Sequence, residues 1–139
     1  SRNLEIELTE TTLMEGHRKP VEILKELKNT GVGISIDDFG TGYSSLSYLK
    51  KFPIDNLKID KSFVDDINES SDSAAIVNTI INLAQNLNLT VIAEGVEDKK
   101  TLDYLAFHHC DLVQGFLFAK PMSSIDFEVF AQNYKPDLT

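Results

Sequence analysis

Short apolar segments with an alternating polar face recur along this chain, and their polar positions become ionisable toward each segment's end. Leu4, Ile6 and Leu8 lie opposite Glu5, Glu7 and Thr9; Val32, Ile34 and Ile36 lie opposite Gly33, Ser35 and Asp37; Leu57 and Ile59 lie opposite Asn56, Lys58 and Asp60. A period of two places successive side chains on opposite faces of a β-strand. Five segments, 3–8, 31–37, 54–60, 89–95 and 111–118, therefore read as strands bounded by Gly, Pro, Asn or Asp.

Helical patterns separate them. Pro20 opens and Gly31 closes a predicted helix over 20–29. Over 72–88, Ile76, Ile80, Leu83 and Leu87 share one face, with Asp72 as the expected cap. Two shorter helices follow, TLDYLAF (101–107) and SSIDFEVFAQ (123–132), the latter with Ser123 and Asp126 at capping-box spacing. Strand and helix in alternation imply a parallel sheet. A doubly wound sheet is apolar on both faces. Here one face is polar, which fits an α/β barrel whose strand ends open into a polar mouth. A closed (β/α)8 barrel has eight strands and about 250 residues, so 139 residues with five strands read as the later part of one.

At the strand ends stand Glu7, the adjacent pair Asp37 and Asp38, Lys58, Glu94 and Gln114. They come from five segments and would converge at one barrel mouth. Four carboxylates, one lysine and one amide suit a divalent-metal site, with oxygen donors favouring magnesium or manganese over zinc. One carboxylate of the Asp pair could bridge two ions about 3.5–4 Å apart. Such ions clamp a phosphodiester and acidify water, with Lys58 steadying either that water or the developing charge on phosphate.

The net charge of -9 disfavours long nucleic acid and anionic lipid, while leaving a small phosphorylated ligand open. Cys110 is the single cysteine, which points to a reducing, cytoplasmic setting.

Five motifs, ELTE (7–10), DDFGTGYSSL (37–46), LKID (57–60), AEGVE (93–97) and QGF (114–116), resemble in order those of EAL-domain cyclic di-GMP phosphodiesterases. The resemblance implies a modified (β/α)8 barrel and metal-dependent hydrolysis of cyclic di-GMP to linear pGpG, with two Mg²⁺ or Mn²⁺ ions. It implies Glu7, Asp37, Asp38 and Glu94 as metal ligands, and Lys58, Glu94 and Gln114 as catalytic residues. Glu10, Phe39, Gly40, Thr41, Gly42, Ser44 and Glu97 would support the loop and the site. The Glu-Ala-Leu signature and the strand bearing a metal-binding asparagine are absent, so residues 1–139 read as the carboxy-terminal portion of a single EAL domain. An attached GGDEF cyclase domain is common in this family, so the parent protein has room for a GGDEF or sensory domain and for a membrane anchor through another domain, and open barrel edges invite a homodimer.

Other readings of the same residues stand beside these. A non-catalytic cyclic di-GMP sensor or protein-interaction module is the alternative function. Asp37 and Asp38 alone would serve a turn. Lys58 would be satisfied by a structural ion pair with Asp37 or Glu94. Glu94 and Glu97 would suit a helix start near Asp98, and Gln114 would suit buried backbone groups. Gly40-Thr41-Gly42 lacks the remaining residues of a phosphate loop, and His108-His109-Cys110 reads as a helix end, not a zinc site. Phe116, Phe118, Phe127 and Phe130 are expected in the core.

Overall fold

The computed structural model describes residues 4–15, 20–41 and 49–135. Gly42 and Ser44, both expected to support the site, lie outside the described residues.

Five parallel strands, β1 (Glu5–Thr9), β2 (Gly33–Phe39), β3 (Asn56–Ile59), β4 (Thr90–Glu94) and β5 (Leu112–Gln114), form one sheet in the order β1-β2-β3-β4-β5. Sequential order with parallel pairing means that every crossover steps to the next strand. Right-handed crossovers then place all connecting helices on the same face. That is the winding of a barrel wall, and the fold is a partial (β/α)8 barrel as the alternation implied.

The helices are α1 (Glu10–Glu15), α2 (Pro20–Asn29), α3 (Lys61–Asp65), α4 (Ser71–Leu87), α5 (Lys99–Phe107) and α6 (Ser124–Asn133). Their apolar stripes bury one sheet face: Ile34, Ile36, Leu57, Ile59, Val91 and Ala93 pack in one core with Val64, Val77, Ile81 and Leu105. The predicted parity holds in the three best-patterned strands. The short helices α1 and α3 are additional to the predicted set, since five or six residues carry too little periodicity to stand out.

Capping explains the helix ends. α4 starts at Ser70, whose hydroxyl accepts from Ser73 N at 3.2 Å; Asp72, the expected cap, lies inside the first turn. Asn88 ends α4 with φ 56°, a left-handed conformation that asparagine tolerates. Ser123 caps α6 as expected, accepting from Asp126 N at 3.2 Å.

The aromatic expectation needs correction. Phe116 and Phe127 are at least half-exposed, Phe118 and Phe130 are only partly buried and lie outside the core cluster, and no residue of α6 is buried. Apolarity marked them for a core, but burial needs an opposing element, and among the described residues none covers that side of α6. Among the described residues no helix is long and apolar enough to cross a membrane.

Candidate active site

Strand parity delivers the polar side chains to the face opposite the helices. Glu5, Ser35 and Asn56 form a lower layer there: Glu5 Oε1 accepts from the Ser35 hydroxyl and from Asn56 Nδ2, the latter at 2.9 Å. Above them Lys58 projects from β3 between two strands that each supply a carboxylate. Its Nζ lies 2.7 Å from Glu94 Oε1, 2.8 Å from Glu7 Oε1 and 3.4 Å from Asp37 Oδ1. The lysine side chain is only 5% exposed, whereas Glu7 is 51%, Asp37 23% and Glu94 21% exposed. The positive charge is therefore enclosed, and the carboxylates form its rim toward solvent.

Burial pulls the Lys58 pKa down, but hydrogen bonds to Glu7 and Glu94 and the charges of Glu94 and Asp37 outweigh it, leaving the group above the ordinary lysine range. Lys58 is thus an ammonium at any physiological pH. The ion pair with Asp37 or Glu94 considered from the sequence is present with both, and Glu7 completes a triad.

A bulge answers how two adjacent aspartates reach one mouth. In a regular strand Asp37 and Asp38 would point to opposite faces. Here Ile36 pairs with Leu57 and Phe39 with Ile59, so β2 holds one residue more than β3 over this stretch. The extra residue is accommodated by Asp38 at φ 55°, a left-handed geometry that Asp and Asn adopt more readily than other side chains. Phe39 then returns to the core. Gly40 follows at φ 102°, where an added Cβ would meet Phe63 Cε2 at 3.0 Å and Ile80 Cδ1 at 3.2 Å. The turn is tied by Thr41, whose hydroxyl donates to Asp38 O at 2.8 Å. Glu10, buried, accepts from Gly40 N at 3.2 Å through Oε2; among the described residues Oε1 has no hydrogen-bond partner.

Asp60, which sequence reasoning did not select, belongs to this cluster. It caps α3, accepting from Ser62 N at 2.9 Å and from the Ser62 hydroxyl. The Ser62 hydroxyl bond above all holds its pKa below the usual aspartate value. Asp38 goes the other way: burial first, then Asp37, then a hydrogen bond and charge from Asp60, raise it. The Asp-Lys-Ser spacing of a helix start was the available signal.

The raised Asp38 pKa carries a stability consequence. Its carboxyl binds a proton more tightly folded than unfolded, so stability falls as pH rises through the raised value, and the loss persists at neutral pH. Asp38→Asn keeps a residue suited to positive φ and removes the charge. In metal-free buffer it should melt above wild type at pH 7, with the gap closing below the ordinary aspartate pKa; pH-dependent thermal melts measure this.

Glu94 pairs in register with Gln114 across β4 and β5. Gln114 is exposed, and its main-chain carbonyl accepts from Val96 N at 3.0 Å. The buried-backbone role is thus filled by its carbonyl. Val96 O in turn accepts from Leu117 N at 3.0 Å. This interlock requires Gly115, where an added Cβ would stand 2.1 Å from Val96 O and 2.3 Å from Val96 N. Gly115→Ala should destabilise the protein by about 1–3 kcal/mol, measured by urea denaturation, because backbone atoms must move. Glu97 accepts from Lys61 at 2.6 Å; the cap of α5 is Asp98, which accepts from Thr101 N at 2.9 Å, so neither Glu94 nor Glu97 is needed there.

Among the described residues, no three His, Cys, Asp or Glu side chains are gathered tightly enough to enclose a metal ion. The carboxylates converge on Lys58 instead, each through one oxygen. Their donor chemistry, all carboxylate oxygen on a water-accessible rim, fits a hard divalent cation.

The EAL domain profile matches residues 1–121. The chain belongs to the EAL domain family. It is 47% identical over 134 residues to the cyclic di-GMP phosphodiesterase NbdA of Pseudomonas aeruginosa, covering 96% of this chain and 17% of that protein. The solved MucR phosphodiesterase in complex with c-di-GMP is 46% identical, with a TM-score of 0.87 over 91% of this chain and 51% of that one. The manganese and cyclic di-GMP complex of Klebsiella pneumoniae BlrP1 is 39% identical, with a TM-score of 0.79 over 86% of this chain and 31% of that one. The chain thus spans less than a fifth of NbdA and about half of the solved MucR chain.

Proposed function

We propose that this chain is the carboxy-terminal portion of an EAL phosphodiesterase domain and carries part of the active site that hydrolyses cyclic di-GMP to linear pGpG. The observation supporting this most strongly is Lys58, a buried ammonium held at the strand ends by Glu7, Asp37 and Glu94. A site built only for structural strength would gain as much from apolar packing.

Glu7, Asp37, Asp38 and Glu94 are the residues that would hold two Mg²⁺ or Mn²⁺ ions. When bound, such ions supply Lewis acidity to a phosphate oxygen and lower the pKa of water. Lys58 presents its ammonium to the negative charge that grows on phosphate as water's oxygen joins phosphorus and a sugar oxygen departs. Glu94, 2.7 Å from Lys58 and partly open to solvent, takes the water's proton. Gln114, beside Glu94 on β5, donates an amide hydrogen bond that orients the dinucleotide. Glu10, Gly40 and Thr41 hold the turn that aims Asp37 and Asp38, with Phe39 anchoring it in the core.

The site works in the cytoplasm, and the rest of the barrel, with any GGDEF or sensory domain, lies elsewhere in the parent protein. Incubating the parent with cyclic di-GMP and manganese should yield pGpG, and a chelator should stop it. Binding that persists in chelator without product in either condition would make the domain a sensor.

A further inference from the structure

Lys61, the first residue of α3, reaches both segments that leave the sheet beside the site. Its ammonium pairs with Glu97 at 2.6 Å and lies 5.9 Å from the centroid of the Phe116 ring. Its aliphatic stem crosses Gly95 so closely that an added Cβ there would stand 2.3 Å from Lys61 Cγ and 2.7 Å from Cδ. Gly95 and Glu97 follow Glu94 out of β4, and Phe116 follows Gln114 out of β5. The same lysine borders a cavity of about 180 Å³ shared with Glu94 and Gln114.

A half-exposed ion pair contributes little by itself. Besides a long ion pair with Asp65 at 3.9 Å within its own helix, Lys61 combines three contacts to the neighbouring segments on one side chain, and its backbone is fixed by the Asp60 cap and the fully buried Val64. The charge holds Glu97, the stem fills the groove left by Gly95, and the ammonium faces the Phe116 ring. We propose that Lys61 is a positioning residue, a strut that keeps the segments after β4 and β5 in register and so sets the placement of Glu94 relative to Gln114. The catalytic consequence rests on the phosphodiesterase reading above; the structural one does not.

The test uses the full parent protein with Lys61→Ala, Lys61→Met and Lys61→Arg. Amide hydrogen exchange is read at Val96 and Leu117, whose N–H groups tie the two segments. Exchange there should accelerate about ten-fold in Lys61→Ala, less in Lys61→Met, which keeps the stem, and return near wild type in Lys61→Arg. The kcat for cyclic di-GMP with manganese should fall about ten-fold in Lys61→Ala with KM nearly unchanged, and recover in Lys61→Arg. Glu97→Gln should add little to Lys61→Met, because both remove the same contact. Unchanged exchange at both amides in Lys61→Ala would overturn the strut whatever the turnover. Faster exchange with unchanged kcat would overturn its catalytic role. A wild type that forms no product, while the exchange pattern follows the variants as expected, would count against the phosphodiesterase reading alone.

Discussion

Lys58→Met in the parent protein should lower cyclic di-GMP hydrolysis by about 10²–10³-fold, the range for losing one preorganised charge-stabilising group. Methionine keeps most of the stem's volume, so packing against the strand is retained. What disappears is the ammonium that faces Glu7, Asp37 and Glu94. Removing one partner of a buried ion pair costs about 3–5 kcal/mol where the remaining charge is enclosed. Here the stranded carboxylates reach water, so urea denaturation should show a smaller loss, about 2 kcal/mol. Manganese should recover much of that stability without restoring turnover, because a cation can neutralise the carboxylates but cannot act from the lysine's position. Turnover within a few-fold of wild type would remove Lys58 from the mechanism.

Asp37→Asn should be at least as severe, reducing hydrolysis by about 10³-fold or more. Asp37 sits on the interior face next to the bulge, paired with Lys58 at 3.4 Å and adjacent to Asp38 in sequence. The amide has almost the same shape, so the turn through Phe39 and Gly40 survives while one anionic donor is lost. Metal-free thermal stability should change little; the rise in melting temperature on adding manganese should shrink sharply. Steady-state turnover and thermal melts on one preparation separate these effects. Full turnover in Asp37→Asn would overturn the assignment of this residue to the metal site.

Strand parity is why so much of this arrangement was legible beforehand. Alternation fixed which residues of β1, β2 and β3 face the helices, and parallel order followed from the helices between strands. The same alternation, carried to the strand ends, brings Glu7, Asp37, Lys58 and Glu94 to one mouth. Where alternation breaks, sequence reading lost resolution. The bulge at Asp38 is a single extra residue whose left-handed backbone leaves no periodic trace. Its approach to Asp60 therefore went unseen, although Asp60 and Ser62 have the spacing of a helix cap. The last strand is shorter than its apolar run of 111–118, because Phe116 and Phe118 are as apolar as Leu112 whereas the pairing ends at Gln114, just before Gly115. Phe116 and Phe127 show the same weakness: side-chain chemistry favours burial but does not say whether a partner surface is present. The contact of Lys61 with Gly95 and Glu97 links residues more than thirty positions apart, and only the fold brings them together.

Manganese binding to the parent protein, followed by electron paramagnetic resonance in wild type and Asp37→Asn, tests most directly whether the Lys58 carboxylate cluster is a metal site. Wild type should bind manganese saturably, and Asp37→Asn should bind it at least about ten-fold more weakly, one lost donor being worth 1.4 kcal/mol or more. Equal saturable binding by both proteins would contradict the assignment and leave the carboxylates as counter-charges to Lys58.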